Sequence, residues 1–343
     1  MTLTRYPLTI ALMAEAPICI VDVGARGGFQ SHWDGIRELC TFVGFEPDPV
    51  EAKRLSTNAQ SNERYLAHAL SSQEGTAILH HCAVPSRSSL YEPNLEVLGE
   101  LYGTTTSLFS SERTESIPVT ALDSLLARGD LPAPNFLKLD TQGSELDILK
   151  GALDVLDGPL CAIETEVEFV PLYRGQPLFS DIDPFLRAAG YALVGFTSQF
   201  TKYDVRFGDR PNRTNETLFQ FAKAWASKLA PPNGKLNSFS QLIYGDALYV
   251  RSPREYLRVV KQQDAQTAAA LVTKAAIVTA QLRCYEYALQ LAATAETQSL
   301  ITGQLRHELE CYARAHSRSL APVAHEIRDW SSRLLRRLQR SNT

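Results

Sequence analysis

The sequence predicts an α/β fold, in which a mostly parallel sheet carries helices on both faces, followed by an all-α extension at the C-terminus. Three observations support this prediction. An apolar strand pattern runs into a glycine turn at residues 18–28, two more strand patterns end in the acids Glu46 and Asp140, and residues 255–343 are dominated by helix-forming side chains.

The composition limits the classes of protein to which this chain can belong. It has 343 residues with 44% hydrophobic side chains, enough for a large core, and a net charge of −4 that gives no general attraction to nucleic acid. No apolar run is long enough to cross a membrane. The six cysteines are scattered without a C-x-x-C pair, several of them inside apolar runs, which indicates reduced thiols in a cytoplasmic protein.

The glycine turn follows the apolar run at residues 18–21, which has the branched content of a buried strand, and precedes a helix expected at about 30–40. Glycines let the backbone approach a ligand, and a helix N-terminus favours polar or anionic groups. The pattern is not the dinucleotide motif G-x-G-x-x-G, because Arg26 stands where a middle glycine would sit. Asp22 precedes Gly24 by two residues. A purely structural turn is the alternative.

The second strand pattern, TFVGF, ends at Glu46, which is followed by Asp48 and Pro49. The carboxyl ends of the strands form the ligand crevice of an open α/β sheet, so Glu46 is placed to accept hydrogen bonds from ribose hydroxyls. Asp48 and Pro49 are the residue types of a helix N-cap and first helical position. The alternative is that Glu46 is a solvated acid in a turn.

Residues 64–70 and 76–83 are the next strand patterns, with a polar turn between them. Leu70 is expected near the crevice, where an adenine ring could pack against it. His80 and His81 are consecutive and point to opposite faces of a strand, so they do not easily share a metal ion, and no metal site is predicted.

The segment FLKLDTQGSELDILKG, residues 136–151, repeats the plan of strand, turn and helix. Asp140 follows the strand directly and is therefore expected in the same crevice as Glu46. The helix after the turn carries acids in its first turn, where the helix dipole favours them.

Three glutamates, Glu164, Glu166 and Glu168, alternate along the pattern LCAIETEVEF and therefore share one face of a strand. Stacked carboxylates inside a parallel strand that is covered on both faces would be costly. We therefore predict that the buried part of this strand ends near Ile163 and that the glutamates emerge beyond it into the crevice. An acidic edge ladder that faces solvent is the alternative.

Two long segments lack a clear secondary-structure pattern. Residues 88–111 are rich in Gly, Ser and Thr and are interpreted as an irregular loop that forms a lid over the acceptor side of the crevice. Residues 171–181 are aromatic and basic, as suits a loop that grips a polar acceptor.

Seven segments together resemble the FkbM family of S-adenosylmethionine (SAM) dependent methyltransferases. In the order of the family they are VDVGARGG, GFEPDP, ALSSQEG, SSLYEPN, FLKLDTQGSELDILKGA, EVEFVPLYRGQPLF and LIYGDALYVR, of which the fourth and sixth are the specific ones. The resemblance covers about residues 18–251. It implies a class I, Rossmann-like sheet of seven strands whose last strand is antiparallel. It also implies methyl transfer to a hydroxyl, usually of a sugar or a secondary metabolite.

By position, the resemblance indicates the residues of a SAM site. The candidate cofactor-binding residues are Asp22, Gly24, Ala25, Arg26, Gly28, Glu46, Asp48, Leu70, Ser71 and Asp140. An alcohol must lose its proton as it attacks, so a nearby carboxylate is expected to act as general base, and Asp140 and Glu166 are the candidate catalytic residues. The acceptor is expected to be a small molecule or a glycan.

Two other functions compete with this hypothesis. A nicotinamide-dependent dehydrogenase also places an acid after its second strand, although Arg26 and the absence of a G-x-G-x-x-G pattern count against this function. The second is a non-catalytic interaction protein that retains the fold while its helical extension binds a partner.

The extension begins at Arg251-Ser252-Pro253, which divides the chain into a methyltransferase domain, 1–251, and a helical extension, 252–343. Gly303 is interpreted as a break between two helices. In the last helix pattern, Trp330, Leu334, Leu335 and Leu338 form an apolar stripe opposite a basic face. This helix is either docked with its basic face in solvent or provides a surface for a homodimer or partner protein. A chain cut near Arg251 is expected to fold and to bind SAM.

Overall fold

The computed structural model describes residues 6–202 and 241–319, which form a seven-stranded sheet, a separate three-stranded sheet and the helices around them. The strands of the larger sheet are β1 (Ile18–Val23), β2 (Cys40–Phe45), β3 (Glu63–Leu66), β7 (Phe136–Leu139), β8 (Ala162–Glu168), β9 (Tyr191–Lys202) and β10 (Gln241–Arg251). The smaller sheet contains β4 (Ala69–Leu70), β5 (Gly75–Cys82) and β6 (Ser111–Thr120).

The described α-helices are α1 (Pro7–Glu15), α2 (Pro49–Thr57), α3 (Leu95–Tyr102), α4 (Leu122–Ala127), α5 (Glu145–Lys150), α6 (Leu153–Asp157), α7 (Phe179–Ala188), α8 (Pro253–Val260), α9 (Ala265–Gln281), α10 (Tyr285–Thr297) and α11 (Gly303–Ser319). Three 3-10 helices cover Ser31–Leu39, Pro85–Arg87 and Gly103–Phe109. Within the described ranges no helix combines the length and the apolar character that a membrane span requires.

The strand order of the larger sheet is β3-β2-β1-β7-β8-β10-β9. The pairs from β3 to β8 are parallel, and β10 runs antiparallel to both β8 and β9. This order confirms the predicted class I methyltransferase sheet with an antiparallel last strand. The carboxyl ends of β1, β2, β7 and β8 meet at one edge, where the predicted acids stand.

Alternation along β1 divides its apolar side chains between the two faces of the sheet. Ile18 and Ile20 pack with α1, the 3-10 helix at Ser31–Leu39 and the helices α8 to α11. Cys19 and Val21 pack on the other face with residues of α4, α5, α6 and α7. Both faces are therefore covered, as the fold class predicts.

The first of these faces changes from apolar to polar towards the carboxyl ends of its strands. Ile20 of β1 is in register with Phe136 of β7, but two residues later Asp22 is in register with Lys138. Lys138 is in turn in register with Glu164 of β8. A polar row thus crosses three central strands and marks where the packed core ends and the crevice begins.

The prediction for β8 is wrong about where the buried part ends. The strand continues to Glu168, and Glu164, Glu166 and Glu168 are all buried. β10 pairs with the strand over Ala162 to Glu168 and keeps this whole length inside the sheet. The glutamates do share one face, as predicted, but that face belongs to the polar row and the crevice rather than to a packed apolar layer.

The segment 88–111 is not an irregular loop throughout, because it contains α3 and the 3-10 helix Gly103–Phe109. Leu98 and Leu101 of α3 are buried against Tyr173 and Ile243 in a third apolar cluster. One other expectation also needs correction, because the pattern at 64–70 is split between β3 and β4, which belong to different sheets. The helix expected after the glycine turn is present at Ser31–Leu39 and has 3-10 geometry.

The helices after residue 251 share a hydrophobic core with the sheet. Most side chains of α9 are buried, and they lie in one cluster with Ile18, Ile20, Phe42 and Phe136 of the strands. The break between two helices that was expected at Gly303 is present, because α10 ends at Thr297 and α11 begins at Gly303. The division at residue 251 stays a prediction, although this packing opposes the expectation that 1–251 folds alone. The stripe at Trp330 to Leu338 lies outside the described residues.

Candidate active site

The glycine turn is tied to the ends of two neighbouring strands. The amides of Gly24 and Ala25 both donate to the carbonyl of Phe45 at the end of β2, at 3.0 and 2.9 Å. Gly24 has φ +86°, and a Cβ on it would lie 1.9 Å from the carbonyl oxygen of Asp140. The turn, β2 and β7 therefore meet backbone to backbone, and only glycine fits at position 24.

Glu46 stands at the end of β2 with 4% of its surface exposed. Its Oε1 accepts from the Asp48 amide at 3.0 Å and lies 3.4 Å from Nη2 of Arg26, which also bonds Asp48 Oδ2 at 2.8 Å. Burial raises the pKa of Glu46, and the Asp48 amide and Arg26 oppose that rise. Burial also acts to raise the pKa of Asp48, but Arg26 and the amides of Val50 and Glu51 outweigh it, so that this pKa is lowered.

Asp140 lies one residue beyond β7 and is held from two sides. Lys138 Nζ donates to its Oδ2 at 3.0 Å, and Gln142 Nε2 lies 3.2 Å from its Oδ1. The same amide nitrogen of Gln142 donates to Oε2 of Glu166 at 2.6 Å. One side-chain amide thus bridges Asp140 and Glu166, the two candidate general bases. Gln142 has φ +61°, a conformation that is strained for a residue with a side chain.

Several of the carboxyl groups beneath the crevice resist ionisation. Burial is the main cause that raises the pKa of Glu166 and of Glu168 well above the usual range, with the charge of Asp140 contributing to both. Burial also raises the pKa of Asp22 to about 6 against the opposing charge of Lys138. The pKa of Glu145, buried under the Thr141–Gly143 turn, is raised to about 7. Burial therefore disfavours the charged form of these stacked carboxyl groups.

Asp140, Glu166 and Glu168 line a cavity of about 630 Å³ at the carboxyl ends of the strands. Its wall also includes Gly24, Glu46 and Leu70, together with residues of the segment 85–109. The volume falls in the range of small-molecule and cofactor sites. Across the described part of the chain no cluster of three side chains is suited to hold a metal ion.

A sequence profile described as "Methyltransferase FkbM domain" matches residues 22–193, which is about half of the chain and includes most of the strands that carry the site. The chain belongs to the FkbM methyltransferase family.

Individual relatives of this FkbM protein are more distant. Hexuronic acid methyltransferase AglP of Haloferax volcanii is 30% identical over 146 residues, which are 42% of this chain and 53% of the relative. The match thus spans about half the length of that relative. A methyltransferase FkbM from Methylobacillus flagellatus KT superposes with a TM-score of 0.35 and 14% identity, over 68% of this chain and 43% of the other. Magnesium protoporphyrin IX methyltransferase (ChlM) from Synechocystis PCC 6803 gives 0.29 and 11%, over 73% and 78%.

The predicted FkbM site residues fall into two groups. Those that line the cavity are Gly24, Arg26, Glu46, Asp48, Leu70, Asp140 and Glu166. Four others lie behind its wall. Asp22 is buried in β1, Ala25 packs below the turn, Gly28 lies beside the Tyr65 hydroxyl, and Ser71 bonds Thr120 through its amide. The assignment of these residues to cofactor binding or catalysis stays a prediction.

Sequence reasoning missed several residues that shape this FkbM site. Lys138 could have been found, because a lysine inside the apolar strand FLKL requires a carboxylate partner when it is buried. Gln142 and Tyr173 give no such signal. Tyr173 bonds the Gln142 side chain at 3.1 Å only because two turns distant in sequence meet. Arg87 reaches the cavity from a 3-10 turn that the sequence did not indicate.

Proposed function

We propose that this chain transfers the methyl group of SAM to a hydroxyl of a sugar or a sugar-containing acceptor. The observation that carries the proposal is the cavity itself, whose wall combines Gly24 of the glycine turn and Glu46 with the carboxylates Asp140 and Glu166. Family membership and the acceptor of the AglP relative, a hexuronic acid, agree with it.

Glu46 and Leu70 fit SAM by their chemistry. Glu46 is a buried carboxylate that can accept hydrogen bonds from two ribose hydroxyls, and Leu70 supplies an apolar surface for adenine. When bound, SAM supplies an activated methyl group.

Asp140 and Glu166, with the residues that hold them, can position the acceptor and take its proton. Lys138 and Gln142 fix the Asp140 carboxylate, and Gln142 also fixes Glu166. Burial raises the pKa of Glu166 and so disfavours the ionised form that a base needs, whereas Asp140 has the more exposed side chain, at 37%. Positioning of the two reactants contributes most of the rate in such a displacement, and a base adds about 10²–10⁴-fold.

Calorimetric titration with SAM, S-adenosylhomocysteine and NAD tests the cofactor. We expect binding of the first two and none of NAD. A Glu46→Gln variant should bind SAM more weakly, by about 1.5–3 kcal/mol, because a charged hydrogen-bond acceptor is lost. Glu38→Gln, which changes an exposed glutamate, is the control.

Each part of this proposal can fail separately. Tight binding of NAD without SAM would replace it with a dehydrogenase, and binding of neither would favour a non-catalytic role. An unchanged dissociation constant in Glu46→Gln would remove Glu46 from the ribose role but leave the cofactor assignment intact.

A further inference from the structure

Arg87 lies in the cavity wall, where contacts hold both its backbone and its side chain. It ends the 3-10 turn Pro85–Arg87, and its carbonyl accepts a hydrogen bond from the Tyr173 hydroxyl at 3.0 Å. Its guanidinium carbon lies 4.1 Å from the centre of the Phe109 ring. The stacking and the anchored backbone together orient the guanidinium plane before any ligand arrives.

The guanidinium of Arg87 has an N–H group without a hydrogen-bond partner in the described part of the chain. Its Nη1 is buried and has no hydrogen-bond partner among the described residues, and no carboxylate of those residues forms an ion pair with it. Arg26, the other arginine of the cavity wall, is paired with Glu46 and Asp48. A buried guanidinium N–H without a partner is costly, and an anionic ligand would relieve that cost.

Hydrogen bonds connect the backbone of Arg87 to Gln142, which contacts both candidate bases. The Tyr173 hydroxyl links the Arg87 carbonyl to Oε1 of Gln142, at 3.0 and 3.1 Å. The amide nitrogen of the same Gln142 contacts Asp140 and Glu166. These bonds tie the Arg87 backbone to the candidate bases, and its charge acts on Tyr244, on which the charges of Glu166 and Asp140 also act.

Neighbouring phenols reinforce this position. Tyr102 and Tyr244 line the cavity, and burial raises the pKa of each, so both stay protonated near neutral pH. The positive charge of Arg87 acts on both hydroxyls and opposes that rise. An acceptor that binds here meets the hydroxyl groups of Tyr102 and Tyr244 together with the guanidinium of Arg87.

We propose that Arg87 binds an acidic group of the acceptor, so that the substrates are acidic sugars and the acidic group itself stays unmethylated. This inference rests on the proposed function and narrows its substrate class. A carboxylate or a phosphate can make two parallel hydrogen bonds to the guanidinium, and a neutral sugar leaves it unpaired. The methylated atom is then a hydroxyl of the same sugar, which loses its proton to the base as the carbon–oxygen bond forms and the methyl–sulfur bond breaks.

The test compares glucuronate, glucose 6-phosphate and glucose on the full chain. Their binding is measured by saturation-transfer NMR in the presence of S-adenosylhomocysteine, and their methylation is measured with labelled SAM. The variants are Arg87→Gln and Arg87→Lys, with Arg113→Gln as control because Arg113 is exposed and lies outside the cavity wall. Thermal unfolding checks that each variant is folded.

We expect the wild type to bind and methylate at least one acidic sugar better than glucose. Arg87→Gln should lose about tenfold to a hundredfold in kcat/KM for that sugar, with glucose and the SAM dissociation constant unchanged. Arg87→Lys should retain part of the preference, and the two acidic sugars show whether a carboxylate or a phosphate is bound.

Four results would overturn the inference. They are a wild type that prefers glucose, a failure of both acidic sugars to bind, an equal loss for acidic and neutral sugars in Arg87→Gln, and a base-labile methyl ester as product. Absence of SAM binding would instead reject the proposed function, and it is detected before any sugar is added.

Discussion

Because Gly24 has no side chain, the glycine turn can lie directly against the end of β7. A Cβ at this position would meet the Asp140 carbonyl oxygen at 1.9 Å, so Gly24→Ala must displace either the glycine turn or the end of β7. Gly27 has a similar φ but open space around it, so Gly27→Ala introduces only the backbone strain.

We expect Gly27→Ala to lower the free energy of unfolding by about 1–3 kcal/mol and Gly24→Ala to lower it by clearly more. Denaturant unfolding of both variants measures the difference. Equal losses would mean that the close approach to Asp140 relaxes without cost, and the contact would then not define the site.

Asp22 makes the stability of the fold depend on pH in a direction opposite to that of an ordinary ion pair. Its pKa is raised in the folded state from 3.8 to about 6, mainly by burial. The folded state therefore holds a proton that the unfolded state has already lost between these two values. Stability contributed by Asp22 falls as the pH rises from about 4 to about 6 and stays constant above that range.

The measurement is the difference in unfolding free energy between the wild type and Asp22→Asn, taken from pH 4 to pH 8. Relative to Asp22→Asn, the wild type should lose about 3 kcal/mol of unfolding free energy between pH 4 and 6, since one pKa unit corresponds to 1.36 kcal/mol. A flat difference across that range would show that Asp22 ionises normally beside Lys138.

Helix α1 receives its N-terminal cap from the other end of the chain. Glu308 of α11 is buried and accepts from the amides of Leu8 and Thr9, at 3.3 and 3.0 Å, and from the Thr9 hydroxyl at 3.1 Å. Tyr6, at the N-cap position itself, provides no side-chain cap bond. The first turn of α1 therefore depends on a residue 300 positions away.

Replacing Glu308 with alanine should destabilise the protein by about 1–3 kcal/mol, because three hydrogen bonds to a carboxylate are lost. Glu310→Ala is the matched control on the same helix. Glu310 pairs with Arg306 near the surface, and its loss should cost less than about 1 kcal/mol. If the two variants unfold alike, the cap has no energetic role.

The strands that carry the site were predictable because each depends on a local pattern, whereas the seven-stranded sheet with its antiparallel last strand followed from the family resemblance. Apolar runs, the glycine turn and the Asp48 cap are each contained in a few residues, and Asp48 does accept from the amides of Val50 and Glu51. The positions of Glu46 and Asp140 follow from the rule that strand ends line the crevice.

The burial of Glu164, Glu166 and Glu168 was not predictable in the same way. It depends on pairing with β10, which lies about 80 residues later in the chain, and on a protonation state that only the assembled site defines. The helices within 88–111 were missed because α3 is short and is stabilised by contacts with Tyr173 and Ile243 rather than by its own pattern. The position of Arg87 was not predictable either, because it depends on contacts with Phe109 and Tyr173, which are distant in the sequence.

At the level of the entire chain, the helices after residue 251 complete the core. Leu271, Ile277 and Leu291 belong to the same apolar cluster as the first strand. A chain that ends at Arg251 would expose this face of the sheet to water.

We therefore expect the truncated chain 1–251 to be insoluble or unfolded, contrary to the independent folding expected from its sequence motifs. Circular dichroism and light scattering provide the measurement. A chain that ends at Ser319 is the control, because it retains α8 to α11. A soluble 1–251 chain that binds SAM would restore the two-domain description.

The cap that Glu308 places on α1 also constrains when the protein can mature during synthesis. The first strand leaves the ribosome early, but most of the layer that covers one of its faces is encoded in residues 252–319. At about 5–20 residues per second, translation of that stretch takes several seconds, during which a nearly complete sheet has a largely uncovered apolar face. We therefore expect a nascent chain that stalls in this region to be prone to aggregation.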